Sequence, residues 1–150
     1  MMGRWLWRGG LIFLILSFYL QLGYLAGVLW WGWFNPDTTA FMAAGLDRLQ
    51  EKKGPEAELR QQWVTYNRIS MHLKRAVIAA EDSKFLEHEG FDWEGIEKAV
   101  EKNLKKGRIV AGGSTISQQL AKNLFLSASR NPFRKAQEAI ITVMIEQLWP

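Results

Sequence analysis

A long uncharged stretch near the N-terminus constrains this chain more than any other feature. Residues 9–34 contain no charged side chain, and Ser17 and Gln21 are their only clearly polar ones. At about 1.5 Å per helical residue, the stretch is long enough to cross a hydrocarbon core about 30 Å thick. Tryptophans, which favour membrane interfaces, stand at both ends: Trp5, Trp7, Trp30, Trp31 and Trp33. The sequence therefore predicts a transmembrane helix.

The residues that flank this stretch predict its orientation. Arg4 and Arg8 lie on the short leading side, so the N-terminus is expected in the cytoplasm and the rest of the chain outside. A cleaved secretory signal is the alternative, but a long apolar core that ends in tryptophans favours retention. We therefore expect residues 1–34 to form the cytoplasmic N-terminus and anchor, and residues 35–150 to form one domain outside.

Composition limits the kinds of chemistry that this domain can perform. Cysteine is absent, which excludes disulfides, thiolate metal sites and a cysteine nucleophile. Residues 37–101 carry a net charge of −4 and residues 102–150 a net charge of +6. The basic end is compatible with an anionic ligand and equally with solvated helix faces. Because its basic residues do not form one tract interleaved with aromatics, nucleic acid is not an expected partner.

The pattern after the anchor is helical, although only weakly so over residues 56–66, and no segment alternates as a strand does. Residues suited to cap helix N-termini are Thr38 or Thr39, Ser70, Asp92, Thr115 and Asn131. Two apolar stripes are expected to face inward: Leu73, Ala76, Val77 and Ala80 in one helix, and Ile96, Ala99, Val100 and Leu104 in the next. One mostly helical domain is therefore predicted.

The segment EDSKFLEHEGFD, residues 81–92, begins with a candidate catalytic acid. At 100° per residue, Glu81 lies about 80° from Leu73 on the border of the apolar stripe, whereas Asp82 lies about 180° away and should meet water. A half-buried carboxyl group at a helix C-terminus would have a raised pKa, as a general base needs. For an isolated glutamate, a surface position is the commoner explanation.

The segment GGSTISQQLAKN, residues 112–123, has the parts of an anion site. Its two glycines allow a close backbone approach, and Thr115 with Gln118 forms a predicted capping box that leaves N–H groups free. Lys122 can share the helix face of Gln118 and Gln119. Residue chemistry alone favours the alternative, an ordinary N-cap followed by a surface helix.

A third segment, RKAQEA at residues 134–139, places three charged side chains on one helix face. Arg134 and Lys135 precede Glu138 by four and three residues, which is the spacing of side chains that meet on a helix. An exposed structural salt bridge explains this pattern and is worth only about 0.3–0.5 kcal/mol.

Together and in this order, the three segments closely resemble the peptidoglycan glycosyltransferases, which polymerise lipid II. The resemblance implies a mainly α fold: a transmembrane helix followed by a lysozyme-like helical domain. It also implies that Glu81 is the catalytic base, that Glu138 is the second essential carboxylate and that His88 is structural. The remaining substrate-binding residues implied are Ser114, Thr115, Gln118, Gln119, Lys122, Arg134 and Lys135.

The same resemblance implies the surroundings of the enzyme. Lipid II and the growing glycan strand would be its substrates, beside the outer face of a bacterial cytoplasmic membrane. No cofactor is expected to be tightly bound, although Mg²⁺ or Mn²⁺ would assist, and partners would be proteins of wall synthesis or division. Because family members continue further, we expect a truncated chain, of monofunctional type, with an exposed apolar stripe. That stripe would comprise Ile140, Ile141, Val143, Met144 and Leu148.

Two other functions remain open from the residues. A membrane-anchored muramidase or lytic transglycosylase would share the helical architecture and the lone catalytic glutamate, but it does not need a basic pyrophosphate site. A non-catalytic adaptor for wall assembly is the third. Supplying lipid II and finished glycan separately would distinguish synthesis from cleavage.

Overall fold

A computed structural model describes residues 2–129 and 131–149, and this part of the chain contains helices and no strand. The helices are α1 (Met2–Trp31), α2 (Ala40–Lys53), α3 (Met71–Glu81), α4 (Trp93–Lys106), α5 (Ile116–Phe125) and α6 (Pro132–Leu148). A short 3-10 helix, Tyr66–Arg68, precedes α3. The predicted mainly α fold is confirmed.

The cap residues begin the helices where the sequence predicts. An oxygen of each cap side chain accepts the backbone N–H of the third residue of its helix, which satisfies a donor that the helix itself leaves unpaired. The caps and their donor–acceptor distances are Thr39 (3.2 Å), Ser70 (3.2 Å), Asp92 (2.9 Å), Thr115 (3.2 Å) and Asn131 (2.7 Å). Thr39, rather than Thr38, caps α2.

Helix α1 has two parts with different surroundings. Its stretch Arg4–Trp31 is long and apolar enough to cross a membrane, and its first half is exposed. The second half packs on α6, where the side-chain amides of Gln21 and Gln137 exchange hydrogen bonds of 2.8 and 3.0 Å. Near its end, the carbonyl oxygen of Val28 accepts a 2.9 Å hydrogen bond from the indole N–H of Trp149. The anchor candidate therefore also contributes to the domain.

The core lies where α1, α5 and α6 meet. Its buried apolar residues are Val28, Ala121, Leu126, Ile141 and Ile145. The expectation that Ile141 would be exposed is wrong, because the second half of α1 covers this side of α6. Ile140, Val143 and Leu148 are exposed, as predicted. Met144 was expected to be exposed with them but is half-buried, because it packs against the core.

The two apolar stripes predicted for α3 and α4 are mostly not buried. Leu73 and Val77 are 56% and 44% exposed on α3, and Ala76 and Ala80 are exposed beside them. On α4, Ala99 is buried and Ile96 half-buried, but Val100 and Leu104 are 51% and 76% exposed. The physical reason is that no other described helix packs closely on either stripe. Periodicity identified the apolar faces without showing that a partner covers them.

Candidate active site

Glu81 is the last residue of α3 and its side chain is exposed, so the predicted half-buried position is wrong. Its carboxylate accepts a 2.9 Å hydrogen bond from the side-chain amide of Gln119 on α5. This contact joins the first and second sequence segments directly. The hydrogen bond from Gln119 fixes the orientation of this carboxylate, while its exposed surface remains accessible to a reacting group.

Asp82, and not Glu81, is the buried carboxylate at the end of α3. It is 7% exposed, whereas the sequence predicted contact with water. The helical-wheel angle does not apply to it, because the chain leaves the α conformation at this residue (φ −162°, ψ 77°). Its carboxylate lies 2.9 Å from the His88 Nε2 and accepts a 3.0 Å hydrogen bond from the backbone N–H of Ile116. Asp82 therefore links the end of α3 to the start of α5, with His88 in the structural position expected of it.

The predicted capping box of α5 is present and buried. The Thr115 hydroxyl accepts the Gln118 backbone N–H, and the Gln118 side-chain oxygen accepts the Thr115 N–H at 3.1 Å. The same hydroxyl donates a 2.7 Å hydrogen bond to the carbonyl oxygen of Gly90. Because Asp82 takes the Ile116 N–H, three of the backbone donors expected to be free at this helix start already have partners. Substrate contact by Thr115 or Gln118 stays a prediction.

Glycines in the first and second segments allow other helices to approach the backbone closely. Gly90 has φ +80°, and a Cβ there would lie 2.8 Å from Glu146 and 2.9 Å from Thr142 on α6. A Cβ at Gly113 would lie 2.8 Å from the Cα of Ile96 on α4. The close approach predicted at Gly113 is thus made by α4, which lets the second segment pack against that helix.

Two small cavities meet at the start of the second segment. One, of about 180 Å³, is lined by Glu81, Asp92 and residues 112–115 among others. The other, of about 200 Å³, shares Gly113 and Ser114 with the first and reaches Lys135. A larger cavity of about 510 Å³ lies between α2 and residues 57–63 and contains none of the predicted site residues. We place the candidate site at the two small cavities, because Glu81 lines the first, Lys135 lines the second and Ser114 lines both. Lys122, Arg134 and Glu138 line neither of them.

The third segment forms the charged cluster that its spacing predicts, but at a buried position. Glu138 is 2% exposed, and its two carboxylate oxygens bind Arg134 Nη1 at 2.6 Å and Lys135 Nζ at 2.5 Å. Lys135 also donates a 3.2 Å hydrogen bond to the Ser114 hydroxyl in the second segment. The cluster differs from an exposed helix salt bridge, since removing Glu138 would leave a partly buried cation without its partner.

Lys122 lies one turn along α5 from Gln119, and both are half-buried. Gln118, four residues before Lys122, is buried, whereas Gln119 is half-buried as Lys122 is. The ammonium group of Lys122 lies 5.9 Å from the ring centroid of Phe41 on α2. Within residues 2–129 and 131–149, no carboxylate forms a salt bridge with it.

A surface ion network beside the first segment was not predicted. Lys84 and Lys98 both hydrogen bond to the Glu94 carboxylate and lower its pKa from 4.5 to about 2. The same bond to Glu94 raises the pKa of Lys84. The spacing of Glu94 and Lys98 on α4 is a sequence signal for half of this network. The contact with Lys84 depends on how the loop after α3 folds back.

Comparisons with known proteins point in one direction. Residues 47–150 match the protein family described as Transglycosylase. A biosynthetic peptidoglycan transglycosylase of Azoarcus sp. (strain BH72) is 64% identical over 146 residues, which cover 97% of this chain and 63% of that protein. The protein of the same description from Dechloromonas aromatica (strain RCB) is 65% identical over 150 residues, 99% of this chain and 64% of its own. The chain thus spans under two thirds of the length of these relatives.

Proposed function

We propose, because this chain belongs to the transglycosylase family, that it acts as a peptidoglycan glycosyltransferase. Its relatives bear the description biosynthetic peptidoglycan transglycosylase. The reaction would join lipid II units into glycan strands through β-1,4 bonds, with release of undecaprenyl pyrophosphate. Lipid II, the growing strand and the membrane would be its partners.

One observation carries the proposal: the three sequence segments form a single polar arrangement. Glu81 is hydrogen bonded to Gln119, and Ser114 of the same segment is hydrogen bonded to Lys135, which pairs with Glu138. An accessible carboxylate, Glu81, thus borders one cavity, and a cation, Lys135, borders the neighbouring one. This pairing suits a reaction that removes a proton at one point and releases an anionic leaving group at another.

In the proposed first step, Glu81 takes the proton from the 4-hydroxyl of the acceptor N-acetylglucosamine as that oxygen attacks the donor's anomeric carbon. A general base must come within hydrogen-bond reach of its proton, and an exposed carboxylate allows this approach. The hydrogen bond from Gln119 would aim the carboxylate toward the acceptor. A single displacement converts the α-linked donor into a β-linked product.

The leaving pyrophosphate would be stabilised by Lys122, Arg134 and Lys135. Negative charge develops on it in the transition state, which is where fixed cations assist most. Glu138 binds Arg134 and Lys135 through separate oxygens, so we assign it the role of holding both cations in position. In this role, the second carboxylate acts through its neighbours and not by contact with the sugar.

A divalent ion remains a proposed assistant and not a resident cofactor. Both oxygens of Glu138 are already bound by cations, and no group of three metal-ligating side chains occurs among the residues that the structure describes. The residues present therefore do not fit a bound metal. Mg²⁺ or Mn²⁺ would accompany the substrate's pyrophosphate, and no step of the proposed reaction depends on the protein holding it.

The proposed location is the bacterial cytoplasmic membrane, with the N-terminus in the cytoplasm and the catalytic domain outside. The long apolar helix supports membrane attachment, and Arg4 and Arg8 support the orientation. Both substrates have polyprenyl tails, so an anchored site would meet their sugars at the bilayer surface. Proteins of wall synthesis or division are proposed as further partners.

Substituting Glu81→Gln tests the function most directly. In detergent or vesicles, the wild-type chain should consume lipid II and leave finished glycan intact. The variant should lose at least about 100-fold in rate, as expected when a general base is removed. Glu87→Gln, an exposed glutamate in the same segment, serves as the matched control and should keep the wild-type rate.

The outcomes separate the candidate functions. Unchanged lipid II consumption by Glu81→Gln would remove Glu81 from its proposed role. Consumption of finished glycan instead of lipid II would favour the cleaving enzyme. A folded wild-type chain that consumes neither would favour the non-catalytic adaptor.

A further inference from the structure

Helices α2 and α5 bring two cations to one aromatic ring outside the three segments. The guanidinium carbon of Arg48 lies 5.8 Å from the ring centroid of Phe41, and Lys122 Nζ lies 5.9 Å from the same centroid. Phe41 and Arg48 lie on α2, two turns apart, and Lys122 reaches them from α5. The ring thus connects a residue implicated in pyrophosphate binding with an arginine that has no assigned role.

Neither cation has an ionic partner in the part of the chain that the structure describes. Across the described ranges 2–129 and 131–149, neither Arg48 nor Lys122 forms a salt bridge with a carboxylate. The hydrogen bond that Arg48 makes is from its Nε to the backbone oxygen of Ala44, 2.9 Å away, which leaves both terminal nitrogens available. Asp47, its neighbour in sequence, is not paired with it.

The two positive charges beside one ring repel each other. An anion bound next to both cations would attract each of them and offset this repulsion. A phosphate group suits the pair well, since arginine presents a planar fork to phosphate oxygens and lysine adds a mobile point charge. A carboxylate ligand could also bind one of the cations, but the closeness of this site in sequence to the membrane-anchor candidate favours a lipid phosphate. Helix α2 begins at Ala40, nine residues after the membrane-anchor candidate α1 ends at Trp31.

The ring has a second use at such a site. Phe41 is 39% exposed, so part of its surface remains free while cations approach it. A lipid carries its phosphate at the point where polar and apolar parts meet. The cations would contact the phosphate, and the exposed part of Phe41 would contact the first carbons of the chain.

We propose that Arg48 is a phosphate-binding residue that acts together with Lys122 around Phe41, and that its ligand is the phosphate or pyrophosphate group of a membrane lipid. The group has two possible sources, a phospholipid headgroup or the pyrophosphate of a lipid-linked sugar. The second source rests on the proposed function, whereas the first does not. Arg48 of α2 thereby adds a second cation to Lys122 of α5.

Lipid binding by the whole chain in neutral-detergent micelles tests this assignment. Three probes are added separately: undecaprenyl pyrophosphate, phosphatidylglycerol and zwitterionic phosphatidylcholine. Arg48→Gln should bind at least one anionic probe about tenfold more weakly, equivalent to about 1.4 kcal/mol. Arg48→Lys should recover part of the loss, because it keeps the charge without the planar fork. Binding of phosphatidylcholine should not change.

Two further variants separate a ligand contact from a structural effect. Phe41→Leu keeps an apolar side chain but removes the ring that gathers both cations, so its affinity for the same anionic probe should also fall. Lys52→Gln removes an exposed positive charge from the last turn of the same helix and should bind as the wild type does. Circular dichroism should show unchanged helix content in every variant.

The pattern of losses identifies the source of the phosphate. A loss confined to undecaprenyl pyrophosphate assigns Arg48 to the lipid-linked sugar, and an equal loss for phosphatidylglycerol assigns it to the headgroup. The proposal is overturned if Arg48→Gln, correctly folded, binds both anionic probes within about twofold of the wild type. Because no turnover is measured, an absence of lipid II polymerisation would refute the proposed function without affecting this result.

Discussion

The junction of α5 and α6 and the outer faces of α3 and α4 differ in what they bury. At the junction, polar side chains such as Thr115, Gln118 and Glu138 are almost inaccessible, and each has hydrogen-bonding partners. On α3 and α4, apolar side chains such as Val77 and Leu104 are exposed. The charged and polar chemistry therefore sits on the better-packed side of the domain.

This difference explains how an accessible Glu81 can still be held in direction. Its neighbour Asp82 is buried and bound to the start of α5, so the backbone at the end of α3 has a fixed point. Gln119 on the same helix then holds the Glu81 carboxylate. The packed side, at the junction of α5 and α6, fixes the position of the carboxylate. The open side, formed by α3 and α4, leaves it accessible to a substrate.

The strongest test of the comparison is Glu138→Ala, which removes the centre of the packed charge cluster. It should lower the free energy of unfolding by about 2–3 kcal/mol, somewhat less than is typical for breaking a buried ion pair, since Lys135 keeps access to water. Chemical denaturation followed by circular dichroism measures this. Lipid II turnover should also be lost if Arg134 and Lys135 depend on Glu138 for their position.

Lys135→Ala is the matched control for that variant. Its side chain is 48% exposed, so the loss in unfolding free energy should be only about 0.5 kcal/mol. Equal losses for the two variants would contradict the claim that Glu138 is the buried centre of the cluster.

The next largest effect is expected for Thr115→Ala at the start of α5. The change removes an N-cap and leaves the buried carbonyl oxygen of Gly90 without its hydrogen bond, at a combined cost of about 2 kcal/mol. Thr39→Ala, the cap of α2, should cost about 1 kcal/mol, because among the described residues its hydroxyl makes the cap contact and no second one. A difference of the opposite sign in thermal or chemical denaturation would show that the second contact of Thr115 is not stabilising.

The helix starts could be predicted from local sequence, whereas burial could not, because it depends on tertiary packing. A cap depends on residues within one turn, so Ser70, Asp92 and Asn131 could be identified from the sequence. Burial depends on whether another element covers a face. The exposed stripe at Leu73 and the burial of Ile141 by α1 were both missed for that reason.

In the candidate site too, features set by local sequence could be predicted, whereas features set by tertiary packing could not. The clustering of Arg134, Lys135 and Glu138 follows from helix spacing and is confirmed. The reversed burial of Glu81 and Asp82 does not follow from it, because the helix ends between them and a wheel projection no longer describes the chain. The contacts that join the segments over long sequence distances, such as Glu81 with Gln119, needed the folded chain.

Substitutions on the outer faces of α3 and α4 test whether these faces are exposed in solution. Val77→Ser and Leu104→Ser replace exposed apolar side chains, so each should change the free energy of unfolding by no more than about 0.5 kcal/mol. Ile141→Ser, a fully buried counterpart, should be far more damaging. A loss at Val77 or Leu104 as large as that at Ile141 would mean that another element covers these faces in solution.

The smallest effect concerns the surface network around Glu94. Because Lys84 and Lys98 lower the pKa of Glu94 from 4.5 to about 2, their contribution to stability is present above the unfolded value. It is lost as the pH falls through that interval. Glu94→Gln should therefore weaken the acid dependence of unfolding there, with Glu97→Gln as an exposed control on the same helix.

All three partners of this network are at the surface, so the difference should be slight and should shrink further in about 1 M salt. A carboxyl titration by NMR gives the direct measurement. A Glu94 that titrates near 4.5 would mean that the two lysines do not hold it in solution. The loop after α3 would then lose its contact with α4, and Asp82 would remain the main link between the end of α3 and the packed side of the domain.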